Sequence, residues 1–231
     1  MIGQLSSHGF SLWLDPIPHC LQSEAVEALE SRDPLEFLSK ADNEYGLDLI
    51  KRNRHALRSL GIYESALLAA FTQTRTNNRR WSLASLRRLF QSADIKRLRA
   101  AGDQMPSGPF TIYRGVAGRG AAARIAGLSW TGSLECACWF AMRYAEHLPF
   151  PRVLRTVVTK RSVLAYINEM GRDEQEYIVL LPSTAKLERI PSENLVGRAQ
   201  EWTREIKDQM VGHVTLNAAK DSNCAPAHYA T

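Results

Sequence analysis

Three short stretches carry residue types that could act together on one substrate. Tyr113-Arg114-Gly115 ends a β-rich segment with an arginine and a glycine. A guanidinium is planar and permanently charged, so it suits a pyrophosphate better than a lysine does. The glycine lets backbone approach a neighbouring group closely, since no side chain intervenes. Ser129-Trp130-Thr131 is a hydroxyl-rich strand leading into a helix. Glu174-Gln175-Glu176 sets two carboxylates at i and i+2 at the mouth of a strand. In strand geometry both would lie on one face, about 7 Å apart. A carboxylate held beside a carbon that is becoming positive stabilises it electrostatically, and Glu176 suits that task. Ser129 can donate the hydrogen bond that fixes its rotamer, and Glu174 can orient and deprotonate an incoming nucleophile. Trp130 or Phe140 offers an apolar face on which a flat ring could stack.

Each stretch also has an ordinary reading. An Arg-Gly at a strand end is commonly a salt bridge and a turn, and Ser-x-Thr before a helix is commonly a cap. A Glu-x-Glu entering a strand is commonly a solvated edge. Their order on three predicted strands is what lifts them above chance. Other patterns fail on spacing: Gly115-Val-Ala-Gly118-Arg-Gly120 does not match a dinucleotide turn, and no phosphate-cradling Gly-Lys-Ser/Thr loop occurs. Cys136 and Cys138 fall at i and i+2 of a predicted helix, on different faces, so they read as packed small hydrophobes. The six histidines are scattered, and no metal site is expected.

The elements that must position these residues follow from periodicity. Residues 1–103 read as helical: Ser23 as a cap for a helix through Leu29, Asp33-Pro34 as a second start, Leu47–Leu60 as a segment stopped by Gly61. Leu67, Leu68 and Phe71 share one helical face, as do Leu83, Leu86 and Phe90. Ser92 reads as the cap of Ala93–Ala101. The turn-rich run Gly102–Pro109 marks a boundary. Beyond it come strands at Phe110–Val116, Leu128–Thr131, Val153–Thr159, Ser162–Ile167 and Glu176–Leu181, with a helix over Ser133–Glu146. A polar helix is expected over Pro191–Met210, and residues 211–231 form a tail with little signal.

With these motifs in this order, residues 108–182 resemble the mono-ADP-ribosyltransferases of the Arg–Ser–Glu type, the group that includes cholera-toxin-like and other bacterial arginine-modifying toxins. Tyr113-Arg114-Gly115 resembles the family's strand-end arginine, Ser129-Trp130-Thr131 its Ser-Thr-Ser motif, and Glu174-Gln175-Glu176 its Glu-x-Glu. Trp130 stands where the family has threonine. The resemblance implies an α+β fold, with a split antiparallel β core and a crossover helix in residues 104–210, preceded by the helical segment 1–103. It implies transfer of ADP-ribose from NAD to a macromolecular acceptor, an arginine side chain of a target protein, with release of nicotinamide. Glu176, Glu174, Ser129 and Arg114 would be catalytic. Arg114, Gly115, Ser129, Trp130, Thr131 and Phe140 would bind NAD. The loop with Met170, Arg172, Asp173 and Glu174 would face the target. Bond breaking at the ribose passes through an oxocarbenium-like transition state, which is the positive charge Glu176 would meet.

Composition bounds the alternatives. The chain has 231 residues, 45% hydrophobic and 23% charged, an ordinary globule rather than a disordered or coiled-coil chain. Four cysteines and no basic, apolar leader point to a reduced, cytoplasmic setting without a membrane anchor. The net charge of +5 is unevenly spread: residues 1–50 hold nine acids and two bases, residues 51–99 twelve bases and two acids. Such a basic block, with Arg79, Arg80, Trp81, Arg87 and Arg88 close together, either faces its own chain or grips phosphate. A second reading is therefore a basic nucleic-acid- or partner-binding protein. A third is ADP-ribosylation of nucleic acid by the same site, and a fourth is NAD hydrolysis with water as acceptor.

Overall fold

The fold is that of a computed structural model, which describes residues 9–73, 80–143, 145, 147–168, 174–191 and 193–206. The described chain falls into two compact units. One holds the residues up to Pro106 with Leu164–Tyr166, and the other begins at Ser107 and takes the rest.

The first unit is helical: α1 (Gln22–Glu30), α2 (Pro34–Ser39), α3 (Gly46–Arg52), α4 (Arg54–Ser59), α5 (Tyr63–Thr72), α6 (Leu83–Gln91) and α7 (Ile95–Ala100). Asp33 caps α2, its carboxylate accepting from the N–H groups of Leu35 and Glu36, with Pro34 in the first turn. Ser23 caps nothing, because α1 already begins at Gln22. The segment expected as one helix over Leu47–Leu60 is two, broken at Asn53. The buried Asn53 amide pairs with the backbone of Trp13, accepting from its N–H at 2.8 Å and donating to its carbonyl at 2.9 Å. Asp94, rather than Ser92, caps α7, and the Ser92 N–H instead closes α6. Phe71 meets Phe90 edge-on at 5.1 Å in the core.

From Ser107 onward the chain is α+β. Strands β1 (Phe110–Val116), β2 (Ser129–Thr131), β3 (Arg152–Val158), β4 (Val163–Ile167), β5 (Glu176–Val179) and β6 (Glu188–Ile190) form one sheet in the order β4-β5-β2-β1-β3-β6. The β1–β2, β1–β3, β2–β5 and β3–β6 pairs are antiparallel. β1 and β2 meet through a single pair, Tyr113 opposite Thr131, whereas β1 and β3 pair along all of β1. The sheet is continuous across that join. The short edge strand β6 was not expected from the sequence.

Helix α8 (Leu134–Met142) crosses from β2 to β3, with Ser133 as its N-cap; Glu146, the expected end, lies outside the described residues. A further helix, α9, is described over 195–206. It is amphipathic rather than simply polar: Leu195, Ala199 and Trp202 are buried at i, i+4 and i+7. Leu195 and Ala199 join Ala137, Cys138, Ala141 and Val153 in one apolar cluster. The rest of the expected helix to Met210 and the tail 211–231 lie outside the described residues. Among the described residues, no helix is long and apolar enough to cross a membrane.

Candidate functional site

Strand β1 alternates, with Phe110, Ile112, Arg114 and Val116 buried on one side of the sheet. Arg114 thus points into an apolar row, at 7% exposure. Its Nε donates to the Arg124 carbonyl at 3.3 Å and its Nη1 to the Ser129 carbonyl. Gly127 makes room for it: a Cβ there would lie 2.2 Å from Nη2. Burial pushes the Arg114 guanidinium down to about 10, helped by the charge of Arg124 and opposed by Glu176. Expected as a pyrophosphate donor, Arg114 is instead a brace that ties the 124–129 backbone to β1. Arg124, half-buried, is the more open cation.

Ser129 and Glu176 come together as expected. Pairing sets Ser129 opposite Ile178 and Thr131 opposite Glu176, so both hydroxyls share a face with the carboxylate. Ser129 Oγ donates to Glu176 Oε1 at 2.5 Å. Such a charge-assisted bond holds the carboxylate in one rotamer. Thr131 Oγ1 donates to the Glu174 carbonyl at 2.5 Å and accepts from the Ser133 N–H at 3.0 Å. The Gly132 N–H donates to the Gln175 carbonyl at 3.0 Å. Two bonds, one from the end of β2 and one from the residue after it, therefore fix the backbone that presents both glutamates.

Glu174 differs from its expected place. β5 begins at Glu176, and Gln175 has φ of 43°, in the left-handed region. The i, i+2 rule of a strand does not extend across such a residue, so Glu174 is not set along the strand on the face of Glu176. Met170, Arg172 and Asp173 of the expected target loop lie outside the described residues.

Two other expectations are corrected by packing. Gly115 does not open space for a ligand, because α8 fills it. A Cβ there would lie 2.0 Å from the Ala137 carbonyl oxygen and 2.5 Å from the Ala141 nitrogen. Trp130 is 1% exposed, its indole N–H donating to the Gly127 carbonyl at 3.0 Å. It offers no free face for stacking. Phe140 is half-buried and sits edge-on to Trp139 at 5.1 Å.

Tyr113, Thr131 and Glu176 form one row across the sheet, since each stands opposite the next. A cleft of about 390 Å³ reaches that row at Tyr113 and is otherwise lined by Gly132–Glu135, Gln175, Trp202 and Glu205; Thr131 and Glu176 are not among its lining. Periodicity did not single out Tyr113, Glu135, Trp202 or Glu205 as site residues. Only the amphipathic stripe of α9 could have signalled that this helix packs on the sheet. Among the described residues no group of three or more His, Cys, Asp or Glu is placed to hold a metal ion.

In the basic segment, Lys51 lies over Trp81, Arg52 over Trp13, Arg58 over Tyr63 and Arg80 over Tyr45, at 5.2, 5.2, 4.7 and 4.4 Å from the ring centroids. These contacts give part of the positive charge an intramolecular occupation. Arg88 is exposed, Arg87 half-buried, and Arg79 lies outside the described residues.

No protein-family model, curated protein or solved structure is significantly similar to this chain.

Proposed function

We propose that this chain is an NAD-dependent mono-ADP-ribosyltransferase acting on an arginine of a target protein, with an ADP-ribosyltransferase-like fold in its second unit. The observation that carries the reading is the 2.5 Å hydrogen bond from Ser129 to Glu176. It joins two of the three motifs on which the family resemblance rests, while Arg114 braces the same strand from the other side. NAD supplies an activated ribose whose bond to the positively charged nicotinamide is ready to break, the electron pair leaving with the ring.

Glu176 stabilises the positive charge that develops on the ribose carbon, and Ser129 holds it in place for that. Glu174, one turn residue away, takes the proton that the guanidinium loses as its nitrogen bonds to that carbon. Thr131 fixes the Glu174 backbone. Arg124 takes the pyrophosphate contact that the buried Arg114 leaves to a more open cation.

The test is incubation of the full chain with labelled NAD and a cell lysate, with mass spectrometry of whatever becomes labelled. Glu176→Gln removes the charge and keeps the shape, so labelling and NAD hydrolysis should both fall on the order of 10²–10³-fold. Unchanged labelling by Glu176→Gln would end the reading. Glu174→Gln should reduce transfer about 10²-fold, the usual worth of a general base, and leave hydrolysis largely intact.

A further inference from the structure

We infer that the cleft between Tyr113, Gly132–Glu135, Gln175 and the Trp202–Glu205 turn of α9 is a subsite for a guanidinium group, the acceptor end of the reaction proposed above, on which this inference rests. Its walls suit a flat cation. Trp202 and the half-buried Tyr113 supply aromatic surface, on which a guanidinium stacks more favourably than an ammonium does. Glu205 supplies a carboxylate, whose paired oxygens match the guanidinium fork. Glu135 is already engaged, with Arg198 Nη1 2.6 Å from its Oε1 and Ser133 Oγ donating to its Oε2 at 3.4 Å, so the carboxylate that meets the ligand is the exposed Glu205. The lining holds no lysine or arginine, so an anionic ligand would meet like charge.

Size and position agree with this assignment. At about 390 Å³ the cleft is near the small end of ligand sites, suited to one side chain rather than a whole dinucleotide. Gln175, which lines it, sits between Glu174 and Glu176 in the chain. A group seated there meets the residue that links the two carboxylates the transfer uses, although neither carboxylate lines the cleft.

The probe is ethylguanidinium, followed by ligand-observed NMR on the full chain at low salt. Its controls are ethylurea, which is neutral and of the same shape, ethylammonium, which is charged but not planar, and 1-methylnicotinamide, a cationic ring. Ethylguanidinium should bind at least fivefold tighter than all three. Glu205 is exposed on α9, so Glu205→Lys should fold, and it should weaken ethylguanidinium at least fivefold. Glu201→Lys makes the same charge change on the same helix outside the cleft lining and should shift affinity less than twofold.

Equal weakening by both variants, or equal binding of ethylurea, would overturn the subsite. Tighter binding of 1-methylnicotinamide would give the cleft to the NAD ring and overturn it as well. NAD turnover is measured in parallel. Turnover that depends on Glu176, without ethylguanidinium binding, overturns the subsite and leaves the transferase reading standing. Selective ethylguanidinium binding without such turnover supports a guanidinium site and overturns the transferase reading.

Discussion

Replacing Gly115 by alanine puts one methyl group where α8 crosses β1. The added carbon would lie 2.0 Å from the Ala137 oxygen, 2.5 Å from the Ala141 nitrogen and 2.9 Å from Phe140 Cβ. Two of these are backbone atoms, so no side-chain rotation relieves them. A comfortable carbon–oxygen contact is about 3.3 Å or more, so α8 must retreat by over ~1 Å. That opens the cluster of Ala137, Cys138, Ala141, Val153, Leu195 and Ala199. Overpacking of this kind costs about 3 kcal/mol, the upper end of the usual range. With an m-value near 2 kcal/mol/M, the urea midpoint should fall by about 1.5 M. Gly197→Ala is the matched control, since it is exposed on α9 and its new methyl meets nothing within 4 Å. Removing a helical glycine there should raise stability by up to about 1 kcal/mol. The assay is urea unfolding of both variants by tryptophan fluorescence. A Gly115→Ala midpoint equal to wild type would refute the packing account. Were NAD binding lost at that unchanged midpoint, Gly115 would be a ligand-facing residue after all.

Three shorter predictions test other links. Thr131→Val keeps shape but removes the bonds to the Glu174 carbonyl and the Ser133 N–H, so stability should drop by about 1–3 kcal/mol. Transfer should suffer more than NAD hydrolysis, and equal loss of both would show that Thr131 does not serve Glu174 selectively. Burial pushes the Cys138 thiol up to about 11, so at pH 8 iodoacetamide should modify exposed Cys20 and spare Cys136 and Cys138, as read by peptide mapping. Bonds from the Arg97 and Lys96 N–H groups hold the Asp94 carboxyl below its ordinary value. Its contribution to α7 is therefore complete above the unfolded pKa of about 3.9 and disappears as pH falls through the lower folded value. Asp94→Asn should remove that part of the acid dependence of unfolding, and an unchanged pH profile would show that the cap does not matter.

Local chemistry made much of the fold legible. Phe110–Val116 is the strand its alternation and β-branching predict, Asp33-Pro34 starts a helix through its own cap, and Ser133 does the same for α8. These features depend on residues within a few positions of one another, so one sequence window contains their whole cause. The pairing of Ser129 with Glu176 was legible in a weaker sense, through motif order alone. What the sequence left open was decided by partners far away in the chain. Asn53 breaks a helix because its amide binds Trp13, forty residues earlier. Arg114 is buried because β1 turns its even-numbered side chains into an apolar layer, and Gly115 is small because α8 lies on it. Trp130 faces inward for the same alternating reason that Ser129 and Thr131 face Glu176. The β6 edge is three residues long and reaches strand status only by pairing with β3. Residue types and local spacing are set along one dimension, but which face of a strand is covered, and by what, is set by the packing of distant elements against each other.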